Sequence, residues 1–224
     1  MQYVQSRIGK YLEKPLAVDG KPRLSGVTDT LNASIAHGPE VRMPKEFHEP
    51  KVRKILNDIL VEEWLKGFEQ SSEYRRLGAG PLLEDLKGRM VAVAKGNSEL
   101  KFALYGCHDS TVGALIVSLG VFDGVWPPFT SNVAVELFKG PETLAQGKMT
   151  EPKKEGLGWR QWLFGAEAGS SAADTGAVNG YYVRLRYNDK PVIIKGCRPE
   201  GRHLEGDESF CTLVGCPRAE GERM

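Results

Sequence analysis

The sequence predicts an α/β protein, and three stretches carry that prediction. Val52, Ile55, Leu56, Ile59, Leu60, Trp64 and Phe68 recur at helical spacing, so one stripe of a helix over about 51–70 faces a core. Residues 101–107 form a short, largely apolar run that leads into His108-Asp109-Ser110-Thr111 and then into an apolar stretch over 112–119. Strand, polar turn, helix is the order of an α/β unit. Residues 181–187, Tyr-Tyr-Val-Arg-Leu-Arg-Tyr, alternate as a half-buried strand does.

Taken in order, residues 1–50 mix short helical patterns with turn residues. A short helix is expected over 30–36, stopped by Gly38-Pro39. After the 51–70 helix, Gly78-Ala79-Gly80-Pro81 breaks the chain, and Pro81 suits the first turn of another helix. Leu82, Leu83, Leu86, Met90 and Val93 give that helix its apolar side. Residues 101–107 then read as a short buried strand, with Cys107 a small buried hydrophobe at its end. Ligands gather at the carboxyl ends of strands in α/β sheets, which puts His108 and Asp109 where chemistry is expected. Asp109 or Ser110 is also suited to cap the helix that follows. Trp126-Pro127-Pro128-Phe129 is a rigid connection with packing aromatics, and 133–138 reads as a strand. Residues 139–178, rich in Gly, Lys, Glu, Ser and Ala, read as a surface insertion whose aromatics at 159–164 dock it to the body. Asn188-Asp189 makes a hairpin turn from the 181–187 strand into Val192-Ile193-Ile194.

Composition narrows the function classes. Thirty basic residues against 29 acidic ones give a net charge of +1 over 224 residues, with no field for nucleic acid or a membrane surface. No run approaches the roughly 18–20 apolar residues that span a bilayer. The first residues contain no apolar signal core, so the protein is expected to be intracellular or to begin upstream of residue 1. Cys197, Cys211 and Cys216 cluster late in the chain and suggest one disulfide in an oxidising compartment, its pairing left open by spacing alone. No Cys-x-x-Cys pair occurs and the four histidines are scattered, so no metal and no cofactor are expected. His37, His48 and His203 sit in no motif, and Arg75 and Arg76 read as groups that solvate a helix end.

Three segments resemble the histidine acid phosphatases. Residues 74–83, Tyr-Arg-Arg-Leu-Gly-Ala-Gly-Pro-Leu-Leu, are similar to the family's lead-in to a helix. Residues 105–112, Tyr-Gly-Cys-His-Asp-Ser-Thr-Val, match its His-Asp segment. Gly120 to Phe129, followed by Val135-Glu136-Leu137-Phe138, carry its Pro-Pro-aromatic and Glu-Leu-aromatic elements in order. His-Asp alone is common by chance; the ordered set over 74–197 is not. The Gly-x-Gly-Pro and Phe-Asp-x-x-Trp-Pro-Pro-Phe details are similar to the lysophosphatidic acid phosphatase-like group.

The resemblance implies a phosphoglycerate mutase-like sandwich, helices flanking a mainly parallel sheet, as one domain over 1–224 that is incomplete at its N-terminus. It implies hydrolysis of a small phosphate monoester, a lysophospholipid or sugar phosphate, through a phosphohistidine. His108 would contact the phosphoryl oxygens and Asp109 would protonate the leaving alcohol. The family's nucleophile lies in an Arg-His-Gly-x-Arg-x-Pro segment, which this sequence does not contain. Residues 36–44 offer a near match, but no arginine precedes His37 and two extra residues separate it from Arg42. A truncated, catalytically poor chain and an inactive phosphate-binding derivative are both compatible with that departure.

Overall fold

The computed structural model describes residues 1–38, 43–140 and 178–213, which gather into two compact units. The first holds residues 1–66 with 123–130, the second 67–122 with the chain from 131 onward. The expected insertion lies almost wholly outside the described residues, as do Cys216 and positions 39–42 of the near match around His37.

In the first unit, α1 (Gln2–Ile8), α2 (Leu24–His37) and α3 (Pro50–Gln70, through Lys66) surround a core of Val4, Ile8, Leu24, Leu31, Phe47, Val52 and Leu56. The α2 helix is longer than the 30–36 expected, because Thr28 and Leu24 are buried about one and two turns before Leu31. Pro50 opens α3 at the position where a missing N–H costs nothing. Val52, Leu56 and Leu60 are buried as the periodicity required, while Leu65 takes the place expected of Trp64. Trp64 instead meets Trp126 edge to face, ring centroids 6.5 Å apart. Trp126 therefore packs as expected, and Phe129 is exposed. Two carboxylates fasten α1 and the turn after it: Glu49 accepts from Tyr3 and Arg7, and Glu46 from Lys10 and Tyr11.

The second unit joins the last turn of α3 to α4 (Ser72–Gly78), α5 (Gly80–Ala94), α6 (Asp109–Ser118) and a sheet. Ser71 caps α4, its hydroxyl accepting the Tyr74 amide at 3.1 Å. Pro81 falls in the first turn of α5 as predicted. The sheet contains β1 (Val133–Lys139), β2 (Tyr181–Tyr187), β3 (Lys190–Val192), β4 (His203–Leu204) and β5 (Asp207–Thr212). Its central strand is β2, with β1 along one edge. On the other edge β5 pairs with Tyr182–Arg184 and β3 with Leu185–Tyr187.

Every pairing among the described strands is antiparallel, which corrects the expected mainly parallel sheet. The reason is local. Asn188 and Asp189 both take positive φ, 46° and 64°, the two-residue turn that returns a strand upon itself, whereas parallel neighbours need a long crossover. Cys197 and Cys211 form the disulfide, buried beside Leu185 and Ile194. The fold remains a mixture of helices and sheet, as the α/β expectation requires.

Candidate active site

The α6 helix begins at the predicted pair. Val112 and Ile116 pack with Tyr187, Val121, Phe122, Val133 and Val192, so the helix rests on the β1–β2–β3 face of the sheet. Ile116 is fully buried. At the far end Gly120, at φ 69°, lets its own amide reach Val117 O and that of Val121 reach Ile116 O, each at 3.0 Å. This left-handed closure satisfies the last carbonyls and stops the helix.

His108 is the residue that caps α6 at its start, with extended backbone (φ −96°, ψ 163°) and no capping bond from its side chain. Its carbonyl accepts the amides of Thr111 and Val112, both at 3.0 Å. Asp109 is the first helical residue, and its Oδ1 accepts the Ser110 amide at 2.7 Å. The capping role expected of Asp109 or Ser110 is thus divided. His108 holds the position, and the Asp109 carboxylate satisfies an amide from inside the first turn, where the helix dipole favours negative charge. Both His108 and Asp109 are exposed. They are carried side by side on a rigid element and are not sealed beneath apolar neighbours.

The approach to the pair differs from expectation. Residues 101–107 form no strand and are exposed, with Phe102 at 75% and Leu104 at 85% of full accessibility. A strand persists only beside a neighbour that takes its N–H and C=O groups, and no described strand lies along this one. Cys107 is likewise an exposed free thiol, contrary to its predicted burial.

One side chain ties this stretch down. The Tyr105 hydroxyl donates to Asp85 Oδ2 at 2.5 Å, and the same oxygen accepts Arg89 Nε at 2.9 Å. Arg89, one turn along α5, holds the Asp85 carboxyl below the usual carboxylate range, with help from the phenol. Hydrogen bonding to that carboxylate pushes the Tyr105 hydroxyl up. An i,i+4 Asp–Arg pair on α5 was readable in the sequence; its junction with a tyrosine twenty positions later was not.

The remaining candidates serve the fold. Arg75 Nη1 donates to the carbonyls of Phe68 and Glu69 at 2.6 and 2.9 Å, closing the C-terminal end of α3. Arg76 pairs with Glu73 at 3.4 Å. His203 Nδ1 lies 2.8 Å from the carbonyl of Cys197, His37 ends α2, and His48 ends a 3₁₀ turn. Among the described residues no helix is long and apolar enough to cross a membrane.

Comparison with known proteins gives this arrangement a setting. A family profile described as histidine phosphatase superfamily (branch 2) matches residues 48–188. A probable acid phosphatase of Schizosaccharomyces pombe is 34% identical over 206 residues, covering 88% of this chain and 44% of the relative. Lysophosphatidic acid phosphatase type 6 of Bos taurus is 31% identical over 153 residues, 66% of this chain and 26% of the relative. A 2-phosphoxylose phosphatase 1 of Xenopus tropicalis is 33% identical over 91 residues, 40% of this chain and 18% of the relative. The chain therefore spans less than half the length of these relatives.

Proposed function

The chain belongs to branch 2 of the histidine phosphatase superfamily, and from that premise we propose that it carries the proton-donor part of an acid phosphatase site acting on phosphate monoesters. The observation that supports this most directly is the exposed His108-Asp109 pair at the head of α6, inside the segment matched to the family. In this reading the His108 imidazole contacts the non-bridging phosphoryl oxygens. Asp109 gives a proton to the ester oxygen as the bond from phosphorus to that oxygen breaks. The attacking group is a histidine of an Arg-His-Gly-x-Arg-x-Pro segment, which becomes phosphorylated. Water then cleaves the phosphorus–nitrogen bond, its proton returns to the Asp109 carboxylate, and phosphate is released.

The chemistry suits both residue types. Phosphoryl transfer depends on positioning and on donors facing the equatorial oxygens. An alkoxide leaves poorly without a proton, and a placed acid contributes about 10²–10⁴-fold. No cofactor enters this mechanism. The substrate is a small molecule; relatives named for lysophosphatidic acid and for 2-phosphoxylose make a lysophospholipid and a sugar phosphate the classes to test.

One sequence observation favours a second reading. These 224 residues contain no Arg-His-Gly-x-Arg-x-Pro, so the chain by itself is a phosphate-binding unit with little turnover, since a concerted site without its nucleophile retains only residual catalysis. The test is hydrolysis of p-nitrophenyl phosphate at pH about 5, within reach of carboxyl titration. It uses the chain alone and a polypeptide carrying the missing segment ahead of residue 1. Activity is expected in the longer polypeptide, strongly impaired in H108A on p-nitrophenyl phosphate and strongly impaired in D109N on a simple alkyl phosphate, whose alkoxide needs the proton. Full activity of D109N on the alkyl phosphate would end the assignment. In the chain alone, orthophosphate binding that H108A abolishes is expected, and turnover equal to that of the longer polypeptide would exclude the second reading.

A further inference from the structure

The stretch that delivers the chain to His108 has almost nothing holding it. Among the described residues, 101–107 make no backbone–backbone hydrogen bond, and Tyr105 provides the sole side-chain hydrogen bond that leaves the segment. Behind His108 the helix is fixed by its buried face; ahead of it the backbone hangs from one phenol. That phenol is well placed for the task. Its acceptor, Asp85, is oriented by Arg89 at 2.9 Å, and the Arg89 guanidinium lies 5.7 Å from the centre of the Tyr105 ring, gripping it from a second direction. Asp85 and Arg89 are one turn apart on α5, so both contacts come from a single rigid element.

We infer that Tyr105, held by Asp85 and Arg89, is a positioning residue that fixes the backbone leading into His108 and thereby the direction of its imidazole. The inference rests on the assignment of His108 to the phosphate site. A donor displaced by about an ångström from the phosphoryl oxygens loses most of its value. The three residues act through the backbone of 106–107 and touch no substrate.

The test uses the 224-residue chain with Y105F, which keeps the ring and removes the hydroxyl, and D85N, which removes the charge that receives it. Y3F deletes a hydroxyl–carboxylate bond of the same kind, Tyr3 to Glu49 at 3.1 Å in the first unit, and serves as the control. Two readouts are needed: ¹⁵N order parameters for 102–107, and the ring ¹H–¹³C signals of His108 with and without orthophosphate. Order parameters near the rigid value of about 0.85 are expected in the parent and Y3F, falling toward about 0.6 in Y105F and D85N. His108 ring signals should broaden or shift in the same two variants, and orthophosphate should bind them several-fold more weakly. Unchanged order parameters and His108 signals in Y105F and D85N would overturn the tether. If the parent's His108 ring ignores orthophosphate, the phosphate-site assignment fails, while the order parameters still decide the tether.

Discussion

Asn57 shows how one side chain can hold a rigid connection in place. From α3 its Nδ2 donates to Gly124 O at 3.3 Å, and its Oδ1 accepts the Trp126 amide at 2.9 Å. Trp126 precedes two prolines, which offer no amide of their own, so its N–H is the donor by which the turn can be anchored. Asn57→Ala is expected to cost about 1–3 kcal/mol, because the Trp126 amide loses its partner in a partly buried place. A urea titration followed by tryptophan fluorescence checks this; an unchanged midpoint would mean that the Trp64–Trp126 contact suffices alone. Nothing in the spacing of α3 marked Asn57, since it breaks no periodicity and belongs to no motif.

Legibility rises at the scale of elements, and for a physical reason. The α3 stripe, the first-turn Pro81, the β1 strand and the hairpin at Asn188-Asp189 were all readable, because each is dictated by residues close in sequence. The 101–107 stretch was misread because apolar composition reports a preference for burial, whereas a strand requires a neighbour that no local pattern names. The same limit hid the Tyr105–Asp85 bond. His108 and Asp109 were singled out as expected site residues through the residues around them, and the geometry adds that they enter α6, whose apolar side is spent on the sheet. Ile116→Ala should therefore cost about 2–5 kcal/mol, as for other large-to-small changes at full burial. Gly120→Ala should cost about 1–2 kcal/mol, since φ 69° penalises a side chain. Thermal unfolding of the two variants measures both, and a Gly120→Ala protein as stable as the parent would contradict the left-handed closure of α6.

For the whole molecule, acidity and redox state set the conditions under which each unit stays folded. Lys10, hydrogen-bonded to Glu46, is the largest cause that lowers the Glu46 carboxyl to about 2, with its own backbone and Tyr11 assisting. Arg7 likewise lowers Glu49. Both carboxyls are depressed in the folded state, so the stability they confer is present above the ordinary carboxyl range and is lost as pH falls through the folded values. Urea midpoints should hold from pH 7 to 5 and then decline toward pH 2, and E46Q should flatten part of that decline. A midpoint falling already between pH 7 and 5 would show that other groups govern. The Cys197–Cys211 disulfide closes a separation of 14 residues, and its removal should cost about 3 kcal/mol by loop entropy. Thiol reductant should accordingly lower the Tm; no change would mean that the bond does not form in solution. The proposed chemistry is tested at pH about 5, above the range in which the Glu46 contact is lost. Its central claim is that Asp109 protonates the departing oxygen, and the direct measurement is the leaving-group dependence of D109N in the longer polypeptide. Turnover of a simple alkyl phosphate should fall by about 10²–10⁴-fold, while p-nitrophenyl phosphate, whose phenolate leaves with little help, should lose far less. An equal loss on both substrates would contradict the assignment, because it would mean that Asp109 supports the site without giving a proton to the leaving group.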